Sequence, residues 1–259
     1  MQEHEKQSDL AAYRESDSEK LRVLDLIGNL PTGLNSVLDV GARDGFISRK
    51  LAERVTNVVA LDLECPSIVH ERIQCMAGDV TRLGIADATF DLVLCAEVLE
   101  HIPANQLEIA CQELARVSKQ YLLIGVPYKQ DIRVGQTTCQ ACGKVNPPYG
   151  HVNSFDEGAL ARLFRGLTVV NRSYVGESFD RTNPISSFLM GLAGNPFGTY
   201  FQDEPCVHCD GDIGTAAMRR PWQKAATRLA HWGNVIQRPT VSKQPYWIHT
   251  LFQTSWPKG

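Results

Sequence analysis

The chain has 259 residues, of which 43% are hydrophobic and 21% charged, and its formal net charge is −3. These values predict one globular domain with a sizeable core, or one domain with a small appendage. The slight negative charge excludes an overall field that attracts nucleic acid or anionic membranes, but it leaves local basic patches open. The polar N-terminus lacks a signal-peptide core and no apolar run could span a bilayer, so we expect a cytoplasmic protein.

Apolar runs that alternate with helical patterns predict an α/β fold with a parallel sheet covered on both faces. Residues 1–35 should form a polar tail and then a helix, in which Leu21, Leu24 and Leu26 recur at near-helical spacing. That helix is predicted over residues 18–30. The next strands are predicted at residues 36–40, 57–62, 71–76, 90–95 and 120–126, and the helices between them at 46–54 and 104–118.

Two insertions are expected before the sheet is complete. A helix is predicted at 156–165, and the last two strands at 167–175 and 246–254. Residues 127–155 and 176–244 should then fold as cap insertions on a single domain covering 1–259, because unstructured loops of that length are unusual. Within the second insertion, residues 219–235 have helical spacing. The apolar segment 185–192 would suit a packed helix, a lid over a partly apolar ligand, or a contact in a homodimer.

The most informative segment is VLDVGARDGF, at residues 37–46. A buried strand ends there in a turn bounded by Gly41 and Gly45, and a helical pattern follows. Glycines let the backbone approach a ligand closely, and a helix N-terminus offers free N–H groups. The segment is therefore typical of a nucleotide-binding turn in an α/β sheet.

Acidic residues at the ends of the following strands narrow the choice of nucleotide. Asp62 follows the second strand, where a carboxylate can accept from both hydroxyls of a ribose. After the third strand, Asp79 can accept from an exocyclic amine and the Val80 N–H can donate to a ring nitrogen. A nicotinamide dinucleotide would also suit Asp62, but the G-x-G-x-x-G pattern that binds it is absent.

This ordered set, together with FDLVLCAEVLEHI at residues 90–102, resembles the class I S-adenosylmethionine-dependent methyltransferases. The EVLEHI part is similar to the small-molecule branch that includes the ubiquinone-biosynthesis methyltransferases. The resemblance implies a Rossmann-like, seven-stranded, mostly parallel sheet with helices on both faces. It also implies S-adenosylmethionine as the cofactor.

The resemblance further implies which residues contact each part of the cofactor. The methionine end would lie against Asp39, Gly41 and Gly45, the ribose against Asp62, the adenine against Asp79 and Val80, and the sulfonium against Ala96 and Glu97. Arg43 stands where the family usually has a middle glycine, and it would either face solvent or reach toward the cofactor or acceptor. On a simpler interpretation, Glu97, Glu100 and His101 only cap and decorate the start of a helix.

The function implied is methyl transfer to a small molecule, with a hydroxyl oxygen of a metabolite, natural product or saccharide as the favoured acceptor. An oxygen acceptor usually needs a base, for which His151 is the first candidate and His101, Tyr128 and Glu97 are further ones. A loop histidine bonded to backbone is the alternative for His151. Methylation of RNA or protein is a second hypothesis, against which the net charge argues. A non-catalytic scaffold that binds the cofactor and a partner is a third.

The spacing of four of the cysteines predicts a metal site. Two C-x-x-C pairs, Cys139 with Cys142 and Cys206 with Cys209, are typical of a tetrahedral zinc site that would staple the cap. Four thiolates leave no position for water, so the zinc would be structural. A redox dithiol or plain free thiols are the alternatives, and His208 and His151 are alternative ligands. The cysteines at 65, 75, 95 and 111 are expected to be reduced and structural.

One further motif is interpreted as a loop. Asn146-Pro147-Pro148-Tyr149 matches the motif by which amino-group methyltransferases of adenine or glutamine hold the amine. In those enzymes the motif follows strand four, whereas here it follows the fifth predicted strand. Two consecutive prolines are more simply explained by a rigid loop.

Overall fold

The computed structural model describes residues 13–196, 205–213 and 219–254, and the chain divides into two compact units. Unit 1 comprises Met1–Tyr128, Asp156–Gly176 and Pro245–Gly259, and unit 2 comprises Lys129–Phe155 and Glu177–Gln244. The segments of unit 2 begin and end within two residues of the insertions expected at 127–155 and 176–244. Residues 1–12 of the predicted tail, and 197–204 and 214–218 of the second insertion, lie outside the described residues.

The strands alternate with helices along the chain, as the sequence predicts. The strands are β1 (Ser36–Val40), β2 (Asn57–Asp62), β3 (Ile73–Ala77), β4 (Phe90–Ala96), β5 (Ser118–Pro127), β6 (Thr137–Thr138), β7 (Val145–Asn146), β8 (Thr168–Val175) and β9 (Trp247–Gln253). The helices are α1 (Asp17–Gly28), α2 (Phe46–Ala52), α3 (Ala104–Val117), α4 (Glu157–Leu163), α5 (Pro184–Leu192) and α6 (Pro221–Gln237).

Unit 1 contains a seven-stranded sheet in the order β3-β2-β1-β4-β5-β9-β8. The strands from β3 to β5 are parallel neighbours, and β9 runs antiparallel between β5 and β8. The predicted seven-stranded, mostly parallel sheet is therefore confirmed. The order of the strands in the sheet changes direction between β1 and β4. Right-handed crossover connections on the two sides of that point place their helices on opposite faces of the sheet.

The middle of this sheet is buried on both faces. All residues of β4 from Phe90 to Cys95 are buried, as are the residues of β5 from Leu122 to Pro127. Continuous burial of this kind is typical of parallel strands covered by helices on both sides. It explains why these strands are unbroken apolar runs in the sequence rather than alternating patterns.

Element boundaries differ from the prediction where local turns intervene. The third strand begins at Ile73 rather than at residue 71, because Ile73 N–H donates to the His70 carbonyl and Arg72 N–H donates to His70 Nδ1. The regular strand therefore starts after this turn, although the Arg72 carbonyl still accepts from the Val58 N–H of β2. Helix α1 ends at Gly28 rather than at residue 30. The next residue, Asn29, caps the helix, because its side chain donates to the Asp25 carbonyl.

Unit 2 contains the short antiparallel pair β6–β7 and the helix pair α5–α6. Helix α5 begins after Asn183, whose side chain accepts from the Ser186 N–H. The helix predicted over 219–235 is confirmed in type, but it spans Pro221–Gln237, because proline suits the first helical position. Among the helices in the described residues, none is long and apolar enough to cross a membrane.

Candidate cofactor site and cysteine cluster

The glycine turn after β1 requires both of its glycines. Gly41 and Gly45 have φ of 80° and 77°, in the left-handed region that other residues rarely adopt. A Cβ on Gly41 would lie 2.3 Å from Val98 Cγ2, and one on Gly45 would lie 2.2 Å from Ile68 Cδ1. The side chains behind the turn thus hold its backbone in place, which leaves its amide groups at the carboxyl edge of the sheet.

The turn is joined to the end of the next strand. Gly41 and Ala42 donate to the Leu61 carbonyl over 2.8 and 3.1 Å. The Arg43 N–H donates to Asp62 Oδ2 over 2.7 Å, and Asp62 Oδ1 accepts from Leu63 N–H over 2.8 Å. The structure therefore brings Asp62 and the turn together. It fixes the orientation of the carboxylate while leaving further lone pairs to accept from a ligand.

Asp39 lies beneath the same turn. It is buried, and Ser48 donates to its Oδ2 over 2.6 Å. Burial raises the pKa of Asp39 to about 6, the Ser48 hydrogen bond opposes that rise, and the negative charge of Asp62 adds to it. Since the charged form is costly here, Asp39 would be stabilised by a nearby cationic group.

The remaining sequence-predicted positions on this edge lie at the ends of β3 and β4, on either side of β2 and β1. After β3, Asp79 is exposed and its Oδ1 accepts from the Thr81 N–H and hydroxyl, each over 2.8 Å, while Val80 is buried. Gly78 N–H donates to the Asp62 carbonyl over 2.8 Å, which ties this strand end to the one beside it. Ala96 ends β4, next to β1.

Glu97 follows Ala96 with φ of 57°, and Glu100 lies in a 3₁₀ turn formed by Leu99–His101. Oε1 of Glu97 and both carboxylate oxygens of Glu100 are buried. Burial raises the pKa of Glu97, an effect that Arg22 opposes, and burial raises the pKa of Glu100 well above its usual range. Burial of these carboxylate oxygens differs from the solvated carboxylates expected of residues that only decorate a helix start.

Helix α1 contributes a charged face that the sequence did not predict. Its apolar spacing indicated a helix, yet Leu21 and Leu24 are exposed while Glu19 and Arg22 are buried. Arg22 Nε and Nη2 donate to the Glu19 carboxylate, each over 2.7 Å, and the guanidinium lies 5.9 Å from the Trp247 ring centre. The signal in the sequence was the i, i+3 spacing of opposite charges, which more often lies on a solvated face.

A second buried polar group lies between α1 and the last strands. His249 on β9 is fully buried, and its Nδ1 is 2.6 Å from Asp25 Oδ2. Ser173 also donates to Asp25 Oδ2. Burial lowers the pKa of His249, although Asp25 opposes that shift. The pair is therefore a neutral imidazole beside an ionised carboxylate at neutral pH.

The candidate bases lie in different units. His101 is half-buried at the end of the 3₁₀ turn in unit 1. His151 is buried in unit 2, where its Nδ1 donates to Gln130 Oε1 over 2.6 Å. That bond leaves Nε2 as the basic nitrogen of the neutral ring. The partner in this contact is a side-chain amide rather than a backbone group.

The Asn-Pro-Pro-Tyr segment has a structural role in unit 2. Asn146 ends β7 and is fully buried, and its Oδ1 accepts from the Val207 N–H over 2.9 Å. Pro148 begins a short 3₁₀ turn, in which Tyr149 has φ of 54°. The asparagine oxygen thus supports the loop that carries the second cysteine pair, as a rigid-loop interpretation requires.

The four predicted metal ligands converge. The sulfur atoms of Cys139, Cys142, Cys206 and Cys209 all lie within 4.8 Å of one another. The Cys139–Cys209 and Cys142–Cys206 sulfur distances are 3.9 and 3.7 Å. A tetrahedron of thiolates about 2.3 Å from a zinc ion would place the sulfurs about 3.8 Å apart. The cluster therefore has the dimensions of a four-thiolate zinc site.

The backbone around the cluster forms two tight turns. Gly143 N–H donates to the Cys139 carbonyl and Asp210 N–H donates to the Cys206 carbonyl, each over 2.9 Å. Backbone N–H groups of Cys142 and Ala141 lower the pKa of Cys139 to about 7. The alternative ligand His208 instead has its Nε2 3.0 Å from the Val145 carbonyl.

The other cysteines differ in exposure. Cys95 and Cys111 are buried, as expected for structural thiols, and Cys75 is half-buried. Cys65 is exposed, because it lies in the loop after β2 rather than in the sheet. The expectation of a structural role is wrong for that residue.

Comparison with known proteins shows what this part of the chain is similar to. Residues 38–122 match a family model described as a methyltransferase domain. That range contains the glycine turn, the acidic strand ends and the segment after β4. Residues 38–122 are therefore similar to a methyltransferase domain.

Individual relatives match the same part of the chain. An uncharacterized methyltransferase of Mycobacterium bovis is 31% identical over 80 residues, covering 28% of this chain and 41% of the relative. A ubiquinone biosynthesis O-methyltransferase of Idiomarina loihiensis is 37% identical over 93 residues, covering 31% and 38%. The chain thus spans about two fifths of the length of the curated relatives it matches.

Solved structures resemble nearly the whole chain. The 1,6-didemethyltoxoflavin-N1-methyltransferase of Burkholderia thailandensis, solved with S-adenosylhomocysteine, has a TM-score of 0.53 at 15% identity, covering 96% of this chain and 84% of that one. The N-methyltransferase NodS of Bradyrhizobium japonicum also has a TM-score of 0.53 at 15% identity, covering 93% and 98%. At this identity the likeness shows a common fold.

Proposed function

We propose that this protein transfers the methyl group of S-adenosylmethionine to a small-molecule acceptor, with a hydroxyl oxygen as the acceptor atom. The observation that carries the proposal is the row of sequence-predicted positions along the carboxyl edge of four adjacent parallel strands. In strand order these groups are Asp79, Asp62, the Gly41–Gly45 turn and Ala96. Neighbouring strands lie about 4.8 Å apart, so the row is about 14 Å long and suits a nucleoside extended by an amino acid.

The chemistry of the donor set fits the cofactor. Asp62 keeps lone pairs for a ribose, and its orientation is already fixed by two backbone N–H groups. Asp39 would complement the ammonium group of the methionine end, beside the backbone of Gly41 and Gly45. We propose that Asp79 and Val80 bind the adenine.

The end of β4 faces the reacting end of the row. We propose that Ala96 and Glu97 border the sulfonium, since Ala96 ends β4 and Glu97 follows it at the point where the strand order reverses. The bound cofactor would supply a methyl group already activated by the sulfonium charge. The protein would then contribute mainly alignment of the acceptor and exclusion of water.

An oxygen acceptor also needs a group that removes its proton. We propose His151 for this role, with His101 as the second candidate. The Gln130 contact would hold the His151 ring in the tautomer whose Nε2 accepts a proton. The ubiquinone biosynthesis relatives are O-methyltransferases by name, which supports oxygen as the acceptor atom.

We further propose that the cysteine cluster binds one structural zinc ion. The sulfur distances support four thiolate ligands, and four ligands close the coordination shell. A reducing compartment such as the cytoplasm would keep the thiols available for the metal.

Binding of S-adenosylhomocysteine, measured by titration calorimetry, tests the cofactor site. We expect wild-type protein to bind and Asp62→Ala to lose about 10- to 100-fold in affinity, because hydrogen bonds to a charged group are lost. Glu64→Ala, at an exposed position two residues further on, should change affinity less than about twofold. Equal losses in both variants would contradict the assignment of Asp62.

Methyl transfer is tested with radiolabelled S-adenosylmethionine and panels of hydroxyl, phenol and amine acceptors. Transfer to a hydroxyl that His151→Ala abolishes, without loss of cofactor binding, supports the proposed base. Full turnover by that variant would refute it. Transfer only to RNA or protein would refute the small-molecule acceptor, and cofactor binding without transfer to any acceptor would favour a scaffold.

Metal content of the purified full-length chain tests the zinc site independently. One zinc per chain is expected by elemental mass spectrometry, and Cys142→Ser should lose it. Cys65→Ser, at an exposed cysteine outside the cluster, should keep it. Zinc retained after Cys142→Ser, or absent from wild-type protein prepared without chelators, would refute the site.

A further inference from the structure

The segment between β4 and α3 carries two carboxyl groups whose oxygens are buried and not hydrogen-bonded. Glu97 follows Ala96 at the end of β4, and Glu100 lies in the 3₁₀ turn Leu99–His101. Glu100 is 0% exposed. Among the described residues, no group donates a hydrogen bond to Oε1 of Glu97 or to either carboxylate oxygen of Glu100. Since buried polar atoms are normally hydrogen-bonded, these oxygens point to a ligand that complements them.

The guanidinium beside these carboxyls is already paired. Burial raises the pKa of both Glu97 and Glu100, and Arg22 opposes the rise at each of them. However, Arg22 Nε and Nη2 both donate to the Glu19 carboxylate, each over 2.7 Å. The indole N–H of Trp247 also lowers the pKa of Glu97, but it is not in hydrogen-bonding geometry. The Arg22–Glu19 pair therefore leaves the charges of Glu97 and Glu100 unbalanced.

The same segment packs against the glycine turn of the cofactor edge. A Cβ on Gly41 would lie 2.3 Å from Cγ2 of Val98, the residue that follows Glu97. Burial raises the pKa of the Cys95 thiol in β4, and both Glu100 and Asp39 add to that rise. Glu100 thus acts on the same thiol as the carboxylate beneath the turn. The two carboxyls belong to the edge on which the cofactor is proposed to bind.

S-adenosylmethionine has two positive charges, on its ammonium group and its sulfonium, and S-adenosylhomocysteine lacks the second. The proposed function pairs the ammonium with Asp39. Resting on that function, we propose that Glu97 and Glu100 together recognise the sulfonium charge, so that the site prefers S-adenosylmethionine to S-adenosylhomocysteine and loses a proton to solvent when S-adenosylmethionine binds. After methyl transfer the sulfur is neutral, so the pair regains a proton from solvent and holds the product less tightly.

The electrostatics give the sign and the size of this preference. Burial raises the pKa of Glu100 well above its usual range and the charge of Glu97 adds to the rise, so the unliganded pair tends to retain a proton. A sulfonium about 6–10 Å from a carboxylate, at an effective dielectric constant of about 20, would gain about 10- to 100-fold in affinity. Because the folded-state pKa is raised, this gain should grow as the pH rises above the usual carboxyl range and vanish below it.

Other titratable groups adjoin the pair and must be separated from it. They are Tyr13, Glu19 and Arg22 on the N-terminal side, Cys95 in β4, and His101 in the 3₁₀ turn. Burial raises the pKa of Tyr13 and of Cys95, and the Glu19 hydrogen bond raises that of Arg22 against burial, so these three keep their protons near neutral pH. Imidazoles titrate near neutrality, so His101→Gln belongs in the experiment.

The test is titration calorimetry of the full-length protein with S-adenosylmethionine, S-adenosylhomocysteine and sinefungin, in which an amino-substituted carbon replaces the methylated sulfur. At about pH 8 we expect both cationic ligands to bind about 10- to 100-fold more tightly than S-adenosylhomocysteine, with the ratio falling as the pH is lowered. Glu97→Gln with Glu100→Gln should reduce the ratio to within about threefold at every pH. In buffers of different ionisation enthalpy, S-adenosylmethionine should release a proton that S-adenosylhomocysteine does not.

Glu64→Gln is the matched control, since it removes a carboxylate at an exposed position two residues after Asp62. It should keep the ratio and the proton release. Glutamine has nearly the same shape as glutamate and removes a buried charge, so circular dichroism should show intact folding of the double variant.

The outcomes separate this inference from the proposed function. If neither S-adenosylmethionine nor S-adenosylhomocysteine binds, both are refuted. If both ligands bind with equal affinity at pH 8, the inference alone is overturned and the cofactor assignment stands. A preference that the double variant retains, that Glu64→Gln loses equally, or whose pH dependence disappears in His101→Gln would also overturn it.

Discussion

Replacing Asp39 by asparagine should make the protein more stable at neutral pH. The carboxyl is 4% exposed, and burial raises its pKa to about 6, against the opposing hydrogen bond from Ser48. An unfolded aspartate has a pKa of about 3.9, so ionisation in the folded state costs up to about 3 kcal/mol at pH 7. Asparagine keeps an oxygen to accept from Ser48 but carries no charge, so it removes that cost.

The sign of the pH dependence follows from the raised pKa. The folded state binds this proton more tightly than the unfolded state does, so the cost is fully present above about pH 6 and vanishes below about pH 4. In urea denaturation of unliganded protein at pH 7, the free energy of unfolding of Asp39→Asn should therefore exceed that of wild type by up to about 3 kcal/mol. The gap should shrink steadily as the pH falls from 6 toward 4.

Asp91 provides a control of opposite sign. Asp91 is also buried, and burial by itself would raise its pKa. However, the N–H groups of Asn35 and Ser36 donate to its carboxylate, and these hydrogen bonds outweigh burial and lower the pKa. Asp91→Asn should therefore destabilise the protein at pH 7, by an amount that diminishes as the pH falls through the lowered folded-state pKa. If both variants shift stability in the same direction, or if the Asp39→Asn gap does not depend on pH, the electrostatic reasoning is refuted. Under the proposed function, the more stable Asp39→Asn variant should also bind S-adenosylmethionine less tightly.

Three further substitutions test the turn and the buried histidine. Gly45→Ala should lower the free energy of unfolding by about 2–4 kcal/mol in thermal unfolding, because the new Cβ would lie 2.2 Å from Ile68 Cδ1 on a backbone with φ of 77°. Gly84→Ala is the control and should not lower it, because nothing lies within 4 Å of the new Cβ. Equal effects would count against the steric argument. Arg43→Gly should stabilise by up to about 1 kcal/mol, because Arg43 is held at φ of 47°, and a loss of stability would show that its side chain matters. Burial lowers the pKa of His249 below its unfolded value, so the free energy of unfolding should fall as the pH drops through about 6.5. His249→Gln should reduce this dependence on pH, measured by urea titrations at pH 5–7. An unchanged slope would mean that this residue does not cause it.

Much of the sheet and of the cofactor edge was predictable because backbone constraints leave a local trace. A strand buried on both faces must be an apolar run, so Phe90–Cys95 was recognisable without knowledge of its neighbours. The turn at Gly41 and Gly45 needs left-handed backbone, and only glycine adopts it without strain. The cysteine pairs were equally predictable, because the spacing within each pair is typical of the tight turn that carries the two sulfur atoms.

What escaped prediction depends on tertiary contacts between distant residues. Glu19 and Arg22 satisfy each other at the i, i+3 spacing, which on most helices faces solvent, and nothing local indicates that Trp247 lies over them. The Asp25–His249 pair joins residues that the sequence separates by more than two hundred positions. In both cases a polar side chain is buried because its partner is supplied from elsewhere in the fold.

The position of β9 between β5 and β8 has a consequence for synthesis on the ribosome. Among the strands of the described residues, β8 pairs with β9 alone, and residues 176–246 must be translated between them. At 5–20 residues per second, β8 would wait about 4–14 s with both edges unpaired. During that interval the nascent chain offers an open strand for mispairing, and the completed cofactor edge of β1–β4 would coexist with an unfinished sheet. Deleting β9 should therefore yield a chain that aggregates through β8 rather than a trimmed but folded domain.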